Sequence, residues 1–139
     1  MYKQIYQLLI ILGLFLIIDI PVILYFNNSM YKKQFERINK ININSKNRVY
    51  LSAIITYMLL AFGIYFFIVS PELNNSKLNN YNILLKGSLF GLITYGIYNG
   101  TNLATISGWG VKEAVIDTIW GTILCGILSL SSTNIIKKF

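Results

Sequence analysis

The chain has no histidine and a single cysteine, Cys125. The missing histidine excludes Ser-His-Asp and Cys-His catalysis and, with one Cys, a zinc site of ordinary composition. One Cys also excludes an intrachain disulfide and leaves the redox compartment open. Charge is scarce as well: 12% of the residues are charged, 5 acidic against 12 basic, where a soluble domain carries about a quarter. So little polar surface would not cover a globule of 139 residues, which argues against a soluble core. The bases sit between apolar runs and form no stripe interleaved with aromatics, so no nucleic-acid partner is expected. No cofactor is implied by any motif.

What the chain has is hydrophobic length. Apolar residues make up 55% of it, gathered into four runs: Ile5 to Phe26, Val49 to Ser70, Ile83 to Ile106, and Glu113 to Ile136. A bilayer core needs about 20 such residues. The expected fold is therefore all-α, an integral membrane four-helix bundle forming one domain over residues 1–139, multi-pass, with the lipid bilayer as its first partner. In the first run the apolar stretch continues past Asp19 and Pro21 and no small-x-small cleavage pattern follows it, so a retained helix is expected in place of a signal peptide. Pro21 is expected to kink or loosen its last third. Ser70-Pro71 is expected to close the second helix.

The connections are distinct from one another. Residues 27–48 carry Lys32, Lys33, Arg37, Lys40, Lys46 and Arg48. Within them Tyr31, Phe35 and Ile38 recur at helical spacing, so residues 30–40 fit a short amphipathic helix on the membrane surface, followed by an Asn-rich loop. Glu72 to Asn82 reads as a polar loop. Ser107 to Lys112 is short, with Gly108 and Gly110 flanking Trp109, so helices three and four should form a tight antiparallel hairpin. Helix three holds Gly87 and Gly91, then Gly96 and Gly100. Small residues at that spacing let backbones approach closely, within the chain or between copies of a homo-oligomer.

Polar side chains inside the runs ask for a reason, because hydrocarbon gives them no partners. At about 1.5 Å per residue, Asp19 lies roughly 10 Å from the first-connection end of its helix; Asn99, Asn102 and Asp117 lie roughly 6–10 Å from the third-connection ends of theirs. With four crossings these ends share one side, so the polar groups gather in one leaflet and the opposite half reads as nearly pure hydrocarbon. Tyr95, Asn99 and Asn102 share a face at i, i+4, i+7. If that face meets helix four, Asp117 can accept from the Asn102 amide and from the hydroxyls of Thr101, Thr105 or Thr118. The candidate cluster is Asp19, Asn99, Asn102, Thr105, Trp109, Asp117 and Trp120.

Three readings follow. The plainest is structural: hydrogen bonds that tie the helices into one packing, in a structural or partner-binding protein without transport activity. The functional one is a site that binds or passes a small polar solute or ion, with Asp19 and Asp117 as charged or proton-exchanging groups. A membrane-embedded enzyme using two carboxylates ranks last, for want of a His, a metal set or a nucleophile motif.

The hairpin motif Thr101-Asn102-Leu103-Ala104-Thr105, then Gly108-Trp109, then Asp117-Thr118-Ile119-Trp120-Gly121-Thr122, resembles the signature of DUF2177, an uncharacterised family described as predicted membrane proteins. Asp19 and Tyr31-Lys32-Lys33-Gln34 are similar to that family's opening, so the likeness would cover almost the entire chain. Two positions depart: Asn99 stands where the family pattern has an acid, and Val22 where it has a Trp. The resemblance implies a four-helix membrane domain and no activity.

Bases on the side of the first and third connections are Lys32, Lys33, Arg37, Lys40, Lys46, Arg48 and Lys112; the other side has Lys3, Lys77, Lys86, Lys137 and Lys138. The excess places the first and third connections in the cytoplasm. A cysteine placed in residues 39–47 should then react with an impermeant maleimide only after cells are opened; labelling of intact cells from outside overturns this orientation.

Overall fold

A computed structural model describes residues 2–26, 34, 38 and 46–139, and among these residues there are four long helices. Helix α1 spans Tyr2–Phe26, α2 spans Lys46–Ile64, α3 spans Asn80–Thr105 and α4 spans Val111–Ile136. No strand occurs among the described residues. The expected amphipathic helix over residues 30–40 lies outside the described residues, apart from Gln34 and Ile38.

Among the described residues three spans are long and apolar enough to cross a membrane: Tyr2–Tyr25, Tyr50–Leu73 and Val111–Ile136. Helix α3 has the length, at 26 residues, but is not one of them. Buried Gly87, Gly91 and Asn99, together with exposed Lys86, Gly100, Thr101 and Thr105, lower its apolarity. Its outward residues Leu85, Leu89, Leu92, Ile93 and Ile97 are exposed and form an apolar stripe. Ile5, Leu9 and Ile17 of α1, Leu51, Ile54, Ile55, Met58, Leu59 and Phe62 of α2, and Val115, Ile119, Ile123 and Ile127 of α4 are likewise exposed. Surface so apolar is what a lipid-facing bundle shows and what a soluble monomer avoids.

The second helix does not stop at Ser70-Pro71, which corrects the expected boundary. It continues from α2 through a π-helical turn, Tyr65–Val69, into a last α-helical turn, Ser70–Leu73. The Ser70 N–H donates to the Tyr65 carbonyl, five residues back. The wide turn has already interrupted the regular ladder, so a proline in the first turn of the new segment removes little. Helix α1 runs unbroken past Pro21. Helix α3 starts on Asn79, whose side chain accepts from the Asn82 N–H at 3.1 Å, an ordinary N-cap.

Helices α3 and α4 are the most intimately packed pair. They run antiparallel: Gly87 meets Cys125 and Ser129, Gly91 meets Gly121 and Cys125, and Gly121 meets the Tyr95 ring. A Cβ at Gly91 would strike the Gly121 backbone, which cannot move aside. The first glycine pair is therefore used inside the chain. Gly100, by contrast, has nothing within 4 Å of the Cβ position. Ile11 and Phe15 of α1, Ile64 of α2, and Leu124, Cys125 and Leu128 of α4 complete a buried core.

The half expected to be hydrocarbon is not purely so. Gln7, Ser129, Ser132 and Thr133 are buried in it. Ser132 and Thr133 donate to carbonyls of their own helix at 2.6 and 2.7 Å, which is how a helix hides a hydroxyl from lipid. In the last turn of the second helix, buried Glu72 is paired with Lys86 of α3 at 2.5 Å and accepts from Asn75 at 2.8 Å. The Lys137 ammonium donates to the Asn75 carbonyl. These contacts clip the second connection and the end of α4 to α3.

Gly91→Ala should lower stability in detergent by about 1–3 kcal/mol, because overpacking a backbone contact forces helices apart. Gly100→Ala should leave it unchanged or raise it by up to about 1 kcal/mol, since an open helical glycine gains from alanine. Thermal unfolding of both variants measures the difference.

Candidate functional site

Asp19 is the most demanding residue of α1. A carboxylate seven residues from the end of so apolar a helix must be given hydrogen bonds or be expelled. It is 4% exposed, and it receives them from two other helices. Oδ2 accepts from the Tyr57 hydroxyl of α2 at 2.7 Å, and Oδ1 from the Trp120 indole N–H of α4 at 2.9 Å. The Tyr57 ring stands edge-on to Phe15 with centroids 5.0 Å apart, so its hydroxyl is aimed by packing. One carboxylate thus joins α1, α2 and α4.

A second group lies where α3 approaches α4. The Asn99 amide donates to Asp117 Oδ2 at 2.7 Å and to the Tyr95 carbonyl at 3.1 Å. Its carbonyl oxygen accepts from the Trp109 indole N–H at 3.3 Å. Trp109 reaches back because the chain turns sharply between α3 and α4: Gly108 has φ 92°, a left-handed conformation open to glycine. The ring then packs edge-on against Tyr98, centroids 5.7 Å apart. Gly91 against Gly121 sets the distance at which Asn99 and Asp117 meet.

The amide brought onto Asp117 is that of Asn99. Sequence spacing pointed to Asn102, one turn further along the same face. The α3–α4 register, set by the glycines, brings Asn99 level with Asp117 and Thr118. Asn102 is half-buried nearer the turn. Thr105 is exposed and its hydroxyl donates to the Thr101 carbonyl at 2.7 Å. Thr101 and Thr118 likewise bond back to their own helices.

Between the two groups is a cavity of about 430 Å³. Asp19 and Ile23 of α1, Trp120 and Asp117 of α4, and two helix faces line it. The α2 face is Ala53, Thr56, Tyr57 and Leu60, at i, i+3, i+4, i+7; the α3 face is Thr94, Tyr95 and Tyr98. The cavity exists because α2 meets α3 chiefly near the π turn, where Phe90 packs against Gly63 and lies 6.3 Å from Phe67 by ring centroid. Nearer the Asp19 level the two helices stand apart. Ala53, Thr94 and Tyr98 carried no sequence signal as site residues; only the open angle between α2 and α3 brings them in. Among the described residues no three His, Cys, Asp or Glu side chains come together as a metal-ligand set.

A family model described as a predicted membrane protein, DUF2177, matches residues 4–134. No curated protein and no solved structure matches the chain.

Asp19→Asn should cost about 1–3 kcal/mol, because the amide turns a donor toward Tyr57 or Trp120, each already a donor, and leaves buried groups unsatisfied. Tyr57→Phe should cost less, about 1 kcal/mol, since it removes one hydrogen bond without opposing two donors. Unfolding in detergent with the two variants side by side reads the order; a reversed order would show that Asp19 does not act as the acceptor of both.

Proposed function

The chain belongs to the DUF2177 family of predicted membrane proteins, and from that premise we propose that it is a four-helix membrane protein whose bundle holds a small polar or charged solute in the cavity between Asp19 and Asp117. The observation that carries this reading is the cavity itself, about 430 Å³ with both carboxylates on its wall. The cavity is open on one side, where Ala53, Thr56 and Tyr98 are exposed, so a solute can reach both carboxylates from outside the bundle. Small-molecule sites fall in the range of about 300–1,000 Å³ and carry a few polar groups in an apolar lining.

In this proposal α3 crosses the bilayer with the other three and forms a transmembrane hairpin with α4. Its exposed stripe of Leu85, Leu89, Leu92, Ile93 and Ile97 supports that placement. The first and third connections lie in the cytoplasm, as the excess of bases there supports, so the cavity is nearer the cytoplasmic face. Self-association through glycine would fall chiefly to Gly100, which has open space at its Cβ position, since Gly87 and Gly91 meet α4 and Gly96 faces Thr118.

A second reading has its own observation. Asp19 and Asn99 are both buried and hydrogen-bonded between helices, as a structural or partner-binding protein without transport would need. Cavity filling separates the two. Small solutes are screened by thermal shift on the parent and on Ala53→Trp, which fills the cavity from α2 without touching Asp19. A solute at about a hundred times its Kd stabilises by about 2.7 kcal/mol, and the expected result is such a shift in the parent, absent in Ala53→Trp. Identical responses in both proteins, or none in either, would leave the structural reading in place of the solute site.

A further inference from the structure

We infer that the solute is an organic ammonium ion with apolar substituents, drawn in by the Asp19 carboxylate and seated against the aromatic walls of the cavity. The inference rests on reading the cavity as a solute site. Its first ground is charge. Of the described residues lining the cavity, Asp19 and Asp117 are acidic and none is basic. The two oxygens of Asp19 each accept one hydrogen bond, from a phenol and an indole, and neither neutral donor cancels a carboxylate's negative charge. In surroundings of low dielectric such a charge acts strongly on an ion that enters.

The second ground is the wall. Tyr57, Tyr95, Tyr98 and Trp120 all line the cavity, and aromatic rings attract cations that have shed their water, quaternary ammonium ions above all. The rest of the lining includes Ile23 and Leu60, which suit apolar substituents and repel a hydration shell. The third ground is size. Hard metal ions favour sites built from several carboxylates, and of the described residues on this wall Asp19 and Asp117 are the two that carry one. A volume of about 430 Å³ is more than ten times the share of one water in the liquid, about 30 Å³, so a lone inorganic ion would leave most of it empty. An ammonium ion with a carbon body satisfies the charge, the rings and the volume together.

The test is isothermal titration calorimetry of the full chain in a non-ionic detergent. The probes are choline, its uncharged isostere dimethylbutanol, and the matching anion dimethylbutanoate. The expected result is choline bound about tenfold or more tighter than dimethylbutanol, with dimethylbutanoate weakest. Asp19→Asn should bring choline down toward the affinity that the same variant has for dimethylbutanol. The ranking in the parent decides the matter even if Asp19→Asn does not fold. Equal binding of choline and dimethylbutanol, or tighter binding of the anion, overturns the ammonium assignment and leaves the solute site standing. Binding of none of the three also overturns the assignment, and the solute screen with Ala53→Trp then shows whether the cavity reading falls with it.

Discussion

A carboxylate in an apolar helix has to be supplied with donors from elsewhere, and much of this bundle's arrangement follows from how Asp19 obtains them. Its own helix can offer none, because the backbone N–H groups are engaged in the helical ladder. Tyr57 of α2 and Trp120 of α4 come from 38 and 101 residues away in the chain. Satisfying one side chain therefore fixes the rotation of three helices about their axes, since the donors must all face inward at one depth. Individual hydrogen bonds of this kind are worth on the order of 1 kcal/mol, but they select one packing among many that are equally apolar.

Glycine supplies the complementary constraint. Where Gly91 meets Gly121 and Gly87 meets Cys125 and Ser129, α3 and α4 touch nearly backbone to backbone. That closeness brings Asn99 onto Asp117, and Gly108 with Trp109 finishes the contact from the turn. Helix α2 has no comparable pair with α3 along its first part. Gly63 against Phe90 is the point where they come together, and beyond it they diverge. The cavity is the volume left between one tightly sealed pair and a third helix held off by Phe90 and drawn to α1 by Asp19.

The residues differ in how readily their parts could be read from the chain. Asp19, Asp117, Asn99 and both Trp stood out because polar or amphipathic side chains in apolar runs are conspicuous, and their depth could be counted from the helix ends. The choice of Asn99 over Asn102 could not be read, since both lie on one face of α3 and only the register against α4 distinguishes them. Glu72 and Lys86 looked like loop and helix-end charges; their pairing at 2.5 Å depends on the π turn, which carries the second helix past Pro71 and turns Glu72 inward. Ala53, Thr94 and Tyr98 are ordinary residues for their helices, and a wall of a cavity has no signature in a linear pattern.

The sequence by itself determined that the chain is helical and apolar, that it has four long runs, and that its polar groups must find one another. Periodicity and hydropathy decide those points because they are properties of each segment alone. The tertiary structure decided which donor meets which acceptor, that Gly87, Gly91 and Asn99 of α3 face inward, and that α2 and α3 part to leave a cavity beside two carboxylates. Those depend on helix register and crossing, which are set by contacts between segments and by where glycine lets two backbones meet.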